Sequence, residues 1–152
     1  MKKLLEDQME WNKYFLNIAE QVKLKSKDES TQIGAVIVGM DREILSTGYN
    51  SFPRGLVDSM KERQERPLKY HFMCHAETSA IINAARIGVS TKNSTLYLTC
   101  GIPCTDCARN IINAGIKTVY CYDDFPAKEK WIEQREISLT MFFECDVQVI
   151  YY

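Results

Sequence analysis

The chain has 152 residues, enough for one domain (1–152) with its own core. Nineteen Lys and Arg stand against twenty Asp and Glu, so the net charge is −1 and no excess of positive charge offers itself to a nucleic-acid backbone. The longest apolar run, near 33–38, is far short of the ~20 residues of a membrane span, and the opening Met1-Lys2-Lys3-Leu4-Leu5-Glu6-Asp7 turns acidic with no apolar signal region. A cytoplasmic protein that binds neither membrane nor nucleic acid is therefore expected.

The first expected element is an amphipathic helix over 5–25. Trp11, Phe15, Ile18, Val22 and Lys25 step by three or four, with Met9 and Leu16 near the same face. Residues 33–38 read as a buried strand, 39–42 as a turn and 43–48 as a returning strand, which together make a hairpin. The segment 49–71 is long and irregular, with Pro53, Gly55, Pro67 and many charges. It reads either as a functional loop or as solvated helical turns.

A helix follows over 77–87, stopped by Gly88, then a strand over 95–99. Next come a short helix over 104–114 stopped by Gly115, a strand over 116–122, a helix over 127–141 and a last strand over 147–151. A helix between the last two strands allows them to run parallel. The order α-β-β-α-β-α-β-α-β predicts an α/β fold of three layers, one five-stranded mixed sheet between helices.

Six cysteines stand at 74, 100, 104, 107, 121 and 145. Without a secretion signal they read as thiols and metal ligands rather than disulfides. Cys121, inside an apolar strand, reads as core. Cys104 and Cys107 are three apart and would share a helix face, with Pro103 just before them. A helix N-terminus favours thiolates, the form that binds zinc.

His75 opens the other helix, 29 residues before Cys104 (104 − 75). Two helices starting from one edge of the sheet can bring these three ligands together. Three protein ligands leave the fourth tetrahedral position to water, the arrangement of a catalytic zinc. Glu77, two residues on, can face that water without joining the metal and can move protons. The competing reading is a closed structural zinc whose fourth ligand comes from His71, Cys74 or Cys100, in a binding or assembly module.

His75-Ala76-Glu77 with Pro103-Cys104-Thr105-Asp106-Cys107 has the H-x-E…P-C-x-x-C form of the zinc nucleobase deaminases. The chain resembles the deoxycytidylate deaminase branch of the cytidine deaminase superfamily from about residue 11 to about residue 123. Besides the zinc motifs, the resemblance is carried by Asp28-Glu29-Ser30-Thr31-Gln32-Ile33-Gly34-Ala35-Val36-Ile37-Val38 and by Gly48-Tyr49-Asn50-Ser51-Phe52-Pro53-Arg54-Gly55. It implies a cytidine-deaminase-like fold with one catalytic Zn2+ per subunit, on His75, Cys104 and Cys107. It implies hydrolysis at C4 of dCMP to dUMP and ammonia, feeding dTMP synthesis, with Glu77 protonating N3.

The resemblance also implies that Asn50 bonds the sugar 3′-hydroxyl, where the residues alone allow a turn role. Thr31, Gln32, Ala35 and Ala76 would border the base. Arg86 would take the 5′-phosphate or else sit on a solvated helix face, with Arg63, Arg66, Lys69 and Tyr70 as further candidates. Tyr122 would stack on the base or fill the core. Ser51, Phe52, Arg54 and Gly55 would meet dCTP or dTTP effectors in a homo-oligomer, a hexamer favoured. Serine stands at 51 and 79, where the family commonly has glycine and asparagine. Another free cytosine nucleotide or nucleoside is the main rival substrate; a polynucleotide would need a basic groove.

Overall fold

Every residue of β1 (Gly34–Val38) is buried, as a strand covered on both faces must be. The computed structural model describes residues 2–123 and 129–152. β1 pairs antiparallel with β2 (Ile44–Tyr49) on one side and with β3 (Thr95–Leu98) on the other. β4 (Thr118–Cys121) and β5 (Gln148–Tyr151) extend the sheet in parallel, so the order is β2-β1-β3-β4-β5. The expected parallel last pair is present, and the predicted strands survive with ends moved by one or two residues.

Alternation along β1 sends its side chains to two cores. Val36 and Val38 point to α1 (Lys2–Lys23), where Phe15 and Ala19 are buried against them and Tyr97. Ala35 and Ile37 point to the opposite core, shared with Ala76 and Ala80 of α3 (Ala76–Ile87), Ala108 and Ile111 of α4 (Thr105–Asn113) and Phe142 of α5 (Glu129–Glu144). Helices thus cover both faces, as expected of three layers. Cys121 is fully buried in the second core. Met9, grouped with the apolar face of α1 by its spacing, is instead exposed, and the helix ends before Lys25. The expected first residues of α5, 127 and 128, lie outside the described residues.

Between β2 and α3 the chain is mostly irregular, with one 3-10 turn (Lys61–Gln64) and the single-turn α2 (Lys69–Phe72). Ser51 and Cys74 exchange two backbone hydrogen bonds, 3.1 and 2.8 Å, so the segment leaves and returns at one point beside His75.

Gly48 sets how closely β2 approaches α3. A Cβ there would lie 2.3 Å from the Ala80 nitrogen and 2.5 Å from the Ala76 oxygen, both backbone atoms that cannot step aside. Gly48→Ala is expected to cost about 1–3 kcal/mol or more by overpacking. The check is the urea midpoint at unchanged m-value; a wild-type midpoint would show that strand and helix separate freely.

Candidate active site

Both zinc-motif helices begin at the same place. His75 is the N-cap of α3 and Cys104 the N-cap of α4, each in extended backbone conformation. Cys104 therefore stands one step outside the helix rather than on its face, and Cys107 on the first turn meets it from inside. Pro103 accordingly precedes the cap instead of opening the helix, and it is fully buried. Gly88, in the left-handed region at φ 75°, closes the other end of α3.

The His75 Nδ1 lies 3.4 Å from both the Cys104 Sγ and the Cys107 Sγ. A tetrahedral zinc with ordinary bond lengths separates such N and S atoms by about 3.5 Å. The three ligand atoms lie within 4.8 Å of one another, and among the described residues no fourth His, Cys, Asp or Glu joins them. His71, Cys74 and Cys100 do not close the site. Its donor set, two sulfurs and one imidazole nitrogen with a position left over, fits a catalytic zinc.

Proton sharing at this site points the same way. The hydrogen bond from Cys107 holds the Cys104 thiol down at about 4, with His75 adding to it. The Cys104 thiolate pushes His75 up to about 9 and pushes the Cys107 thiol upward as well. One negative sulfur shared among protonated neighbours is what a bound cation replaces. Thr78 Oγ1 lies 3.5 Å from the Cys107 Sγ and accepts from Asn110 Nδ2 at 3.1 Å, so a side-chain pair braces the sulfur between α3 and α4.

Glu77, in the first turn of α3, is only 4 % exposed and shares a cavity of about 230 Å³ with His75 and Cys104. Burial pushes its carboxyl above the usual range, partly offset by His75. A raised carboxyl holds and releases a proton nearer neutral pH than an ordinary one does.

Asp28, Thr31 and Asn50 form one wall of the cavity, and Cys100, Gly101 and Ile102 another. Ser30, Thr31, Arg66 and Tyr70 are the exposed part of the lining, and Trp131 and Arg135 are half-buried. Asn50 is buried, and its amide is largely engaged. Nδ2 donates to Thr31 O at 2.7 Å and Asp28 Oδ2 at 3.2 Å, while Oδ1 accepts from Ile33 N at 2.8 Å. It thereby shapes the 28–33 wall, with one lone pair of Oδ1 left over.

Other expected contacts fall elsewhere. Arg86 is exposed in the last turn of α3 and does not line the cavity, because eleven residues of helix carry it about 16 Å from His75. Tyr122 is turned away: its hydroxyl bonds Glu20 and its ring packs on Tyr152 at 4.6 Å. Ala35 and Ala76 are core residues behind the wall, and the Gln32 amide donates to Ser26 O at 2.9 Å. Arg63 stacks over Phe72 at 4.8 Å, outside the cavity. Phe52 is buried, Arg54 donates to Asn83 Oδ1 at 2.7 Å, and Gly55 sits in open space.

Trp131 and Arg135 escaped sequence reasoning. They stand four apart, one turn along α5, which is the signal that could have placed them on one face. The Trp131 ring meets the His75 ring edge to face at 6.4 Å. Among the described residues no helix is long and apolar enough to cross a membrane.

Residues 9–123 match the family described as the cytidine and deoxycytidylate deaminase zinc-binding region. The deoxycytidylate deaminase of Mus musculus is 38% identical over 124 residues, covering 78% of this chain and 68% of that protein. An uncharacterized deaminase in the luxG 3′ region of Aliivibrio fischeri is 40% identical over 142 residues, 91% of each chain. The dCMP deaminase of cyanophage S-TIM5, solved in complex with dCMP and dUMP, superposes with a TM-score of 0.76 at 25% identity, covering 94% of this chain and 97% of that one. The motif-bearing helices, the open three-ligand centre and the buried glutamate beside it thus have their explanation: this chain belongs to the zinc-dependent cytidine and deoxycytidylate deaminases.

Proposed function

We propose that this protein hydrolyses dCMP to dUMP and ammonia. The observation that carries the reading is the open His75–Cys104–Cys107 centre with buried Glu77 in the same cavity. Zinc, when bound, acidifies a water enough to make it a nucleophile near neutral pH. Glu77 gives a proton to N3 of the cytosine ring as C4 is attacked, and later carries one to the departing amine. The balance is one water consumed and one ammonia released. Ile102, Met73 and Trp131 offer apolar surface to the base. Asn50 keeps an acceptor toward the sugar hydroxyl while it holds Thr31 in place.

Residues 1–152 act as one deaminase domain, supported by the single sheet that runs from β1 to β5. The working form is a cytoplasmic homo-oligomer, a hexamer favoured. Exposed apolar side chains on α3 and α5, Ile82, Ile87, Ile132, Ile137 and Phe143, support an assembly. The 51–55 segment, tied by Arg54 to α3, is where dCTP or dTTP would bear on the site.

Ammonia release by zinc-loaded protein tests the reading. We expect dCMP to turn over well ahead of deoxycytidine. Turnover of deoxycytidine alone would keep the mechanism and overturn the substrate.

A further inference from the structure

We propose that Asn110 and Thr78 form a directed hydrogen-bond relay, amide to hydroxyl to sulfur, that holds the Cys107 thiolate on the zinc, so that both are positioning residues of the metal centre. The inference rests on the zinc centre alone and holds whichever cytosine nucleotide is the substrate.

Spacing places the pair. Thr78 stands three residues after His75 on α3, and Asn110 three residues after Cys107 on α4, so each lies beside a zinc ligand of its own segment. The two meet across the seam between the helices. Asn110 Nδ2 is 3.1 Å from Thr78 Oγ1, which in turn is 3.5 Å from the Cys107 Sγ. Cys107 is 1 % exposed, so bulk water cannot supply its sulfur with a donor and the protein has to.

Donors and acceptors fix the direction. An amide nitrogen only donates, so Thr78 Oγ1 accepts from Asn110 and keeps its one hydrogen for another partner. A cysteine bound to zinc is a thiolate and only accepts, so that hydrogen goes to the Cys107 sulfur. A helical threonine often turns its hydroxyl back to a carbonyl three or four residues earlier. Here those carbonyls, His75 O and Cys74 O, already accept from Ser79 N at 2.9 Å and Ser51 N at 3.1 Å. A hydroxyl polarised by the amide behind it is the stronger donor for that. Its bond favours the deprotonated sulfur and fixes where the sulfur points, and groups that do this behind a ligand set how firmly a metal is held.

Competition for zinc against a chelator and the absorption spectrum of cobalt-loaded protein test the relay. Thr78→Val keeps the shape and removes the donor. It is expected to hold zinc about ten- to a hundredfold more weakly. Its sulfur-to-cobalt charge-transfer band should move to longer wavelength, because a thiolate without its hydrogen bond gives up an electron more readily. Thr78→Ser keeps the hydroxyl and should keep both readouts at wild-type values. Asn110→Asp, at an exposed position, puts an acceptor where the donor was, draws the Thr78 hydrogen away from the sulfur and should match Thr78→Val. The added negative charge would by itself tighten zinc, so weaker binding there reports the reversed bond. Wild-type affinity in Thr78→Val, wild-type behaviour in Asn110→Asp, or weaker binding with an unmoved cobalt band would each overturn the relay. Wild-type protein that takes up no zinc would overturn the metal centre and the relay together.

Discussion

Glu77→Gln is expected to abolish most turnover, by about 10²–10⁴-fold in kcat, while zinc content stays at wild-type level. The substitution keeps size and burial and removes only the group that carries protons. Because burial already raises the Glu77 carboxyl, its neutral form is the easier one to hold in the folded chain. A neutral amide in its place should therefore not lower the melting temperature. That separates catalysis from structure: a stabilising ion-pair role for Glu77 would show as a lower melting temperature. The ligand set excludes Glu77, so metal analysis should find the same zinc in both proteins. Wild-type turnover in the variant, or loss of metal, would end the assignment of Glu77 as the proton carrier.

The grouping of His75, Cys104 and Cys107, with Glu77 beside them, was legible in the sequence because helix starts are local. An N-cap and its first turn bring Cys104 to Cys107, and His75 beside Glu77, whatever the rest of the chain does. Strand positions were legible for a similar reason, through runs and alternation. The order of strands was not, since β1 lies between β2 and β3 by pairings that span up to 63 residues, as Ala35 with Leu98. Arg86 shows how local reasoning misplaces a distant contact. It shares a helix with His75, and that same helix carries it away from the cavity. Arg135 shows the converse: α5 brings it to a site whose motifs end some thirty residues earlier. Tyr122 follows the strand that leads toward the site, yet its hydroxyl settles on Glu20 of α1. The Asp28–Lys69 pair, 41 residues apart, had no sequence signal beyond two opposite charges.

That pair supports the second large effect. Lys69→Met is expected to destabilise the fold by about 3–5 kcal/mol at pH 7, because it strands a buried carboxylate. Asp28 does more than pair with Lys69. Its Oδ1 also accepts from Ser30 N at 2.7 Å and Thr31 N at 3.0 Å, and its Oδ2 from Asn50 at 3.2 Å, so it organises the cavity wall. Burial pushes its carboxyl up, and the hydrogen bonds from Lys69, Thr31 and Ser30 together outweigh that and hold it below the usual range.

The sign of the pH dependence follows. A depressed carboxyl contributes stability above its unfolded value, roughly 3.9, and loses it as pH falls through the still lower folded value. Without Lys69 the folded value rises, so protonation relieves the variant first. The gap between wild type and Lys69→Met, read from urea midpoints, should therefore narrow as pH is lowered from 7 toward 4. The double substitution Asp28→Asn with Lys69→Met removes both charges and should recover more than half of the loss at pH 7. A single variant as stable as wild type, or a double no better than the single, would show that the two charges are solvated independently. The wall that holds Asn50 and Thr31 would then owe its shape to the backbone alone.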